Sequence, residues 1–292
     1  MGALIHVTAW EQASWWRRLL CAFGRVAALL TLLTVLLNLL GPPISLFLTA
    51  TWEAKKIPAV KVTPQPLTDY SVSGAPGTTL SYFGYSFEVP WNGSFKTKES
   101  QKNSIKSGIV HVKFESGQDL LLIAPANQGG LLSEVVQDQS SHMENLRPVL
   151  GDLINRSAYD QYAALLNTSP STIRVFGPRA DAVRGVTLLT IKAIALPASL
   201  ETGVFSFELP DKRGFQIGDP RKSGRIHLEV LDLNGHYVEI ICATAKDSIG
   251  LTQPELNRIL KTLHTVSSDS FAAHATSTRA PRNQSATSVQ SP

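Results

Sequence analysis

The sequence predicts an α+β protein, with an N-terminal transmembrane helix followed by an antiparallel-sheet domain covered by helices. Three observations carry this prediction. Residues 26–50 hold 25 consecutive positions without a charge. Downstream, short apolar runs alternate at period two and are joined by the hairpin signals Ser116-Gly117 and Asn234-Gly235. The last patterned stretch opens on Thr252-Gln253-Pro254-Glu255, a capping box ahead of Leu256, Ile259, Leu260 and Leu263 on one helical face. The order of strand, hairpin, helices, meander and closing helix argues for α+β rather than a doubly wound sheet.

Residues 1–25 read as a basic cytoplasmic leader and 26–50 as a signal anchor. A bilayer core about 30 Å thick needs roughly 20 apolar residues as a helix. Gly41-Pro42-Pro43 leaves two placements open: residues 19–40 with Arg25 snorkelling to the surface, or 26–48 with a kink at the prolines. Either placement crosses once. Trp15 and Trp16 before the run, and Trp52 after it, stand where interfacial aromatics anchor a span. A cleaved signal peptide fits less well, because the apolar run exceeds about 15 residues and Leu48 stands where a small residue is required before Ala50. Arg17, Arg18 and Arg25 on one side are balanced by Lys55, Lys56 and Lys61 on the other. Orientation therefore rests on the usual behaviour of an N-terminal signal anchor, which places the following domain outside the plasma membrane.

Residues 51–77 read as a proline-rich linker, 78–266 as a soluble domain, and 267–292 as a disordered tail of Ser, Thr, Ala, Asn, Gln and Pro. Within the domain, Phe83, Tyr85, Phe87 and Val89 alternate and stop at Pro90. Val110, Val112 and Phe114 lead through Ser116-Gly117 into residues 120–123, and Gly129-Gly130 precedes a helical pattern through Leu132, Val135, Val136, Met143 and Leu146. Residues 157–166 continue as helix. Strands are expected over 186–196, 204–209, 226–231 and 237–242.

Phe87-Glu88-Val89-Pro90-Trp91, the hairpin and helix after it, and Tyr237-Val238-Glu239-Ile240-Ile241 ahead of the closing helix resemble the PsbP-like α/β/α sandwich across roughly residues 80–266. This family comprises extrinsic photosystem proteins and many uncharacterised bacterial envelope proteins, and its usual Gly between Pro and Trp is missing here. The resemblance implies an accessory or binding module and carries over no catalytic residue.

Charge narrows the function classes. The first 56 residues carry a net +3 and the tail +1, leaving 20 basic against 20 acidic residues between them. A neutral domain lacks the broad positive field that nucleic acid demands, so no nucleic-acid partner is expected. Cys21 and Cys242 form no disulfide framework, and no P-loop, GxGxxG, SxxK, CxxC or HExxH occurs. No cofactor and no catalytic residue is therefore assigned. Gly84-Tyr85-Ser86-Phe87-Glu88 begins like a nucleophile elbow, but the serine falls inside an alternating strand, which makes it a solvent-face residue. Gly129-Gly130 reads as a flexible helix start. Lys212, Arg213, Arg221, Lys222 and Arg225 read as a solvated basic loop.

Lys96, Lys98, Lys102 and Lys106, with only Glu99 among them, form a candidate membrane-facing basic loop. His111, His227 and His236 fall on strand patterns as ordinary polar-face histidines. Convergence of two of them on one face with Glu229 or Glu239 would allow a metal site, which geometry alone decides. The expected function is a membrane-tethered, non-enzymatic binding or accessory module of the cell envelope. Its partners are the bilayer, through residues 26–50, and a protein or small molecule whose identity is open. A membrane-anchored extracytoplasmic hydrolase with a site assembled from distant residues is the alternative.

Overall fold

A computed structural model describes residues 51–52, 54–74, 77–101, 108–125, 130–132, 146–173, 179–245 and 250–266. The anchor run, the tail, Lys102 and Lys106, and most of the helix expected after Gly130 lie outside the described residues. Among the described residues no helix is long and apolar enough to cross a membrane.

The chain is α+β. Its strands are β1 (Gln65–Pro66), β2 (Thr78–Tyr82), β3 (Tyr85–Val89), β4 (Phe95–Gln101), β5 (Gly108–Phe114), β6 (Gln118–Ala124), β7 (Val204–Leu209), β8 (Lys212–Ile217), β9 (Arg225–Leu233), β10 (His236–Thr244) and β11 (His264–Thr265). Helices are α1 (Arg147–Leu150), α2 (Ala158–Asn167), α3 (Arg179–Ala195) and α4 (Gln253–Thr262). Eight strands form one sheet in the order β1-β7-β8-β9-β10-β6-β5-β4, antiparallel except for the β1–β7 pair, and β11-β3-β2 form a second sheet.

One face of the large sheet carries Val110, Val112, Leu120, Leu122, Leu228, Val230, Val238 and Ile240, which pack with the small sheet and with Leu256, Ile259, Leu260 and Leu263 of α4. The opposite face carries Phe215, Ile217, Leu231 and Tyr237 beneath Tyr162 and Leu166 of α2. Beyond α2, Leu150, Leu153 and Leu165 pack with Leu188 and Ile191 of α3. Three layers result. The closing helix begins as its capping residues require: the Thr252 amide and hydroxyl both donate to Glu255 Oε2, at 2.7 and 2.8 Å. Glu255 Oε1 accepts from Trp91 Nε1 at 3.2 Å, which joins this helix to the strand–proline–tryptophan segment.

Four expectations are corrected. Residues 186–196 form most of α3 instead of a strand. That helix buries Ala182, Val183, Leu188, Leu189, Ile191 and Lys192 on several sides, so no helical period shows in its sequence. Its threonines bond back to carbonyls one turn earlier, Thr187 to Val183 and Thr190 to Val186.

Residues 57–73 are not a free linker. Val60 and Leu67 are buried, and β1 pairs with β7. Asn257 donates to the Asp69 and Ser71 carbonyls, and Arg258 holds the Ser73 carbonyl. Pro58 opens a short 3-10 turn over Pro58–Lys61, and Pro64 and Pro66 extend the chain after it, so the segment is a docked strap, not a free one. The strand expected from Phe83 starts at Tyr85, because Phe83 and Gly84, both at positive φ, turn a tight hairpin from β2. Ser86 is buried against Ser81, whose hydroxyl donates to it at 2.9 Å, and is not a solvent-face serine.

Candidate functional site

The strongest polar constellation lies on β9 and β10, on the face toward α2. His227 and Glu229 are two residues apart on β9 and so share that face. Asn234 and Gly235, both at positive φ, form the tight turn that leads into β10. A turn of this kind, with His236 opposite Leu233, would set Glu229 opposite Ile240 and turn Glu239 to the other face. A register shift between His236 and Val238 instead sets Glu239 directly opposite Glu229. This bulge builds the site.

His227 Nδ1 lies 2.8 Å from Glu239 Oε1. One donor atom each from His227, Glu229 and Glu239 lie within 4.8 Å of one another. Tyr237 donates its hydroxyl to Glu229 Oε2 at 2.8 Å, and the Tyr162 hydroxyl of α2 stands 3.1 Å from that of Tyr237. Burial and the neighbouring Glu229 push the Tyr237 phenol well above its ordinary pKa, so it stays a proton donor. His227, Glu229, Tyr162 and Tyr237 are buried, while the Glu239 side chain keeps 18% of its surface exposed. Two carboxyl groups, an imidazole and a phenol thus meet on adjacent strands, with Glu239 on the solvent side of the group.

His236, opposite Leu233 before the register shift, does not join the group. His111 lies on β5 and is 3.7 Å from Asp119. A single histidine converges, therefore, but with both glutamates. The sequence places His227 and Glu229 on one face, whereas the bulge that brings in Glu239 has no sequence signal.

Lys96 and Lys98 sit in the strand β4, not in a loop, opposite Lys113 and His111 of β5. The register runs Lys98, His111, Leu121, Ile241, His227, so the lysines share a sheet face with the His–Glu group. Lys96, Lys98 and Lys113 are exposed there beside Ile109, which is 43% exposed. The other expected basic loop is taken apart by the fold. Lys212 is buried in β8 and donates to the Leu263 carbonyl, Arg213 lies 3.9 Å over the Tyr159 ring, and Arg221 pairs with Asp219. At the start of the helix after Gly130, the Gln161 side chain accepts from the Leu132 amide at 3.0 Å.

A cleft of about 760 Å³ opens elsewhere, between the strap, the Asp219–Arg221 turn and the start of α4, with Leu67, Asp69, Phe205 and Gln253 in its walls. The Arg221 fork, 3.0 Å from both Asp219 oxygens, holds that carboxyl below its ordinary range. Asp219 is a committed ion-pair partner, not a general acid. Cys242 is buried and its thiol pushed up by burial, which leaves it unreactive. A scan against protein-family models and searches of curated proteins and solved structures return no match to this chain, so the PsbP-like resemblance gains no support from them.

Proposed function

We propose that the chain is a membrane-tethered, non-enzymatic binding or accessory module of the cell envelope. Residues 26–50 hold it as a single-pass signal anchor in the plasma membrane, with the α+β domain outside the cytoplasm. The observation that carries this reading is the 25-residue uncharged run directly ahead of a charge-balanced domain. Trp52 is 63% exposed just past that run, in the position of an interfacial anchor. The β4–β5 face supports contact with anionic headgroups, each basic residue near such a surface contributing about 1 kcal/mol. A hydrolase is the second reading, favoured by the pairing of two carboxylates with an imidazole at His227, Glu229 and Glu239.

Vesicle flotation with residues 51–292 tests the membrane-facing role. Binding to anionic vesicles is expected to be weak at low salt and to fall as salt rises. Replacing Lys96, Lys98, Lys102 and Lys106 by glutamine should lower it about tenfold or more while circular dichroism stays unchanged. Equal binding of both proteins at low salt would remove headgroup contact from the reading. A turnover abolished by His227→Gln would replace the module with the hydrolase.

A further inference from the structure

We infer that His227, Glu229 and Glu239 form a binding site for one divalent transition-metal ion of the zinc type. This goes beyond the tethered-module reading and does not depend on the membrane. Zinc bonds to imidazole nitrogen and carboxylate oxygen are about 2.0–2.2 Å long. Donor atoms already within 4.8 Å of one another therefore need only small side-chain adjustments to close around an ion. The strands themselves need not move. Glu229 and Glu239 are cross-strand partners, which holds two carboxyl groups side by side on a largely buried face. A dication between them would be shared by both carboxylates and by the His227 ring.

The donor set selects the class of ion. An imidazole with two carboxylates suits zinc and its first-row neighbours, whereas calcium and magnesium take oxygen ligands. Tyr237 acts as a positioning residue. Its hydroxyl fixes the Glu229 carboxylate from behind, as outer-shell donors do at metal sites, with Tyr162 standing beyond it. Three protein ligands leave a coordination position for water or for an acidic group of a partner, and the partly exposed Glu239 marks the side on which it opens.

Titration of the chelator-stripped full chain in detergent with Co²⁺, followed by displacement with Zn²⁺, tests the site. One equivalent of Co²⁺ should develop visible ligand-field absorption and be displaced by one equivalent of Zn²⁺. Glu239→Gln and His227→Gln should each weaken Zn²⁺ binding 100-fold or more, and Tyr237→Phe about tenfold. His236→Gln and His111→Gln should change nothing. If His227→Gln fails to fold, the half-buried Glu239→Gln and the phenol-deleted Tyr237→Phe still decide. Absence of saturable Co²⁺ and Zn²⁺ uptake by the wild-type chain overturns the site, as does unaltered uptake by folded Glu239→Gln. The topology of the anchor is read separately, so failure of the metal site and failure of the tether are distinguishable.

Discussion

Gly214→Ala is expected to destabilise the domain by at least about 3 kcal/mol, a fall in Tm of roughly 6–12 °C for a domain of this size. Gly214 lies in β8 opposite Phe207 of β7 and Val230 of β9. A Cβ there would overlap the Glu229 carbonyl oxygen and stand 2.7 Å from the Phe207 ring. Backbone on one side and a buried aromatic on the other leave no soft neighbour to yield, so β8 and β9 must separate. The same displacement moves Glu229, and thus couples the packing of this strand pair to the His–Glu group. Thermal unfolding followed by circular dichroism reads the effect. A Tm within 2 °C of wild type would show that the β8–β9 contact is looser than described.

Lys192→Met should cost about 3 kcal/mol. Lys192 is fully buried in α3 and its ammonium donates to three carbonyls, Val62 and Leu166 at 2.6 Å and Thr168 at 2.8 Å. Two of these stand at the C-terminal end of α2, where carbonyls lack helical partners and the helix dipole favours a cation. The third belongs to the strap, so one side chain ties strap, α2 and α3 together. Methionine fills the space and orphans all three acceptors.

The pH dependence is also specified. Burial pushes Lys192 down to about 8 from an ordinary value of 10.5. Between those two pH values the unfolded chain holds a proton that the folded chain has released, so folding stability rises with pH across that window and gains nothing below it. The stability difference between wild type and Lys192→Met should therefore widen from pH 8 towards 10.5. Denaturant melts at pH 7 and 9.5 check this, and a gap that narrows would contradict the burial of this amine.

What the sequence made legible follows from how each element meets solvent and turn. β5 shows its parity because Ile109 and Lys113 face outward while Val110, Val112 and Phe114 face the core. α4 declares itself through its cap and its narrow apolar stripe. α3 is buried on several sides, and its run of Val186, Leu188, Leu189 and Ile191 carries no period to distinguish helix from buried strand. β8 was hidden by its own residues: Lys212 and Arg213 look solvated, yet Lys212 is buried to its ammonium and the Arg213 guanidinium lies over the Tyr159 ring. The strap escaped because proline marks an extended chain without saying what that chain packs against. At the candidate site, His227 and Glu229 follow from simple alternation, but Glu239 reaches them through a one-residue register shift that no local pattern announces.

Fusing a reporter directly after Val266 of the full chain, in paired versions active only outside or only inside the cytoplasm, tests the tethered-module reading most directly. A single crossing at residues 26–50 with residues 53–292 outside predicts activity from the externally active reporter alone, in a membrane-bound protein that keeps its N-terminus near Met1. Activity from the cytoplasmic reporter alone, or a mature chain that begins near Thr51, would contradict it.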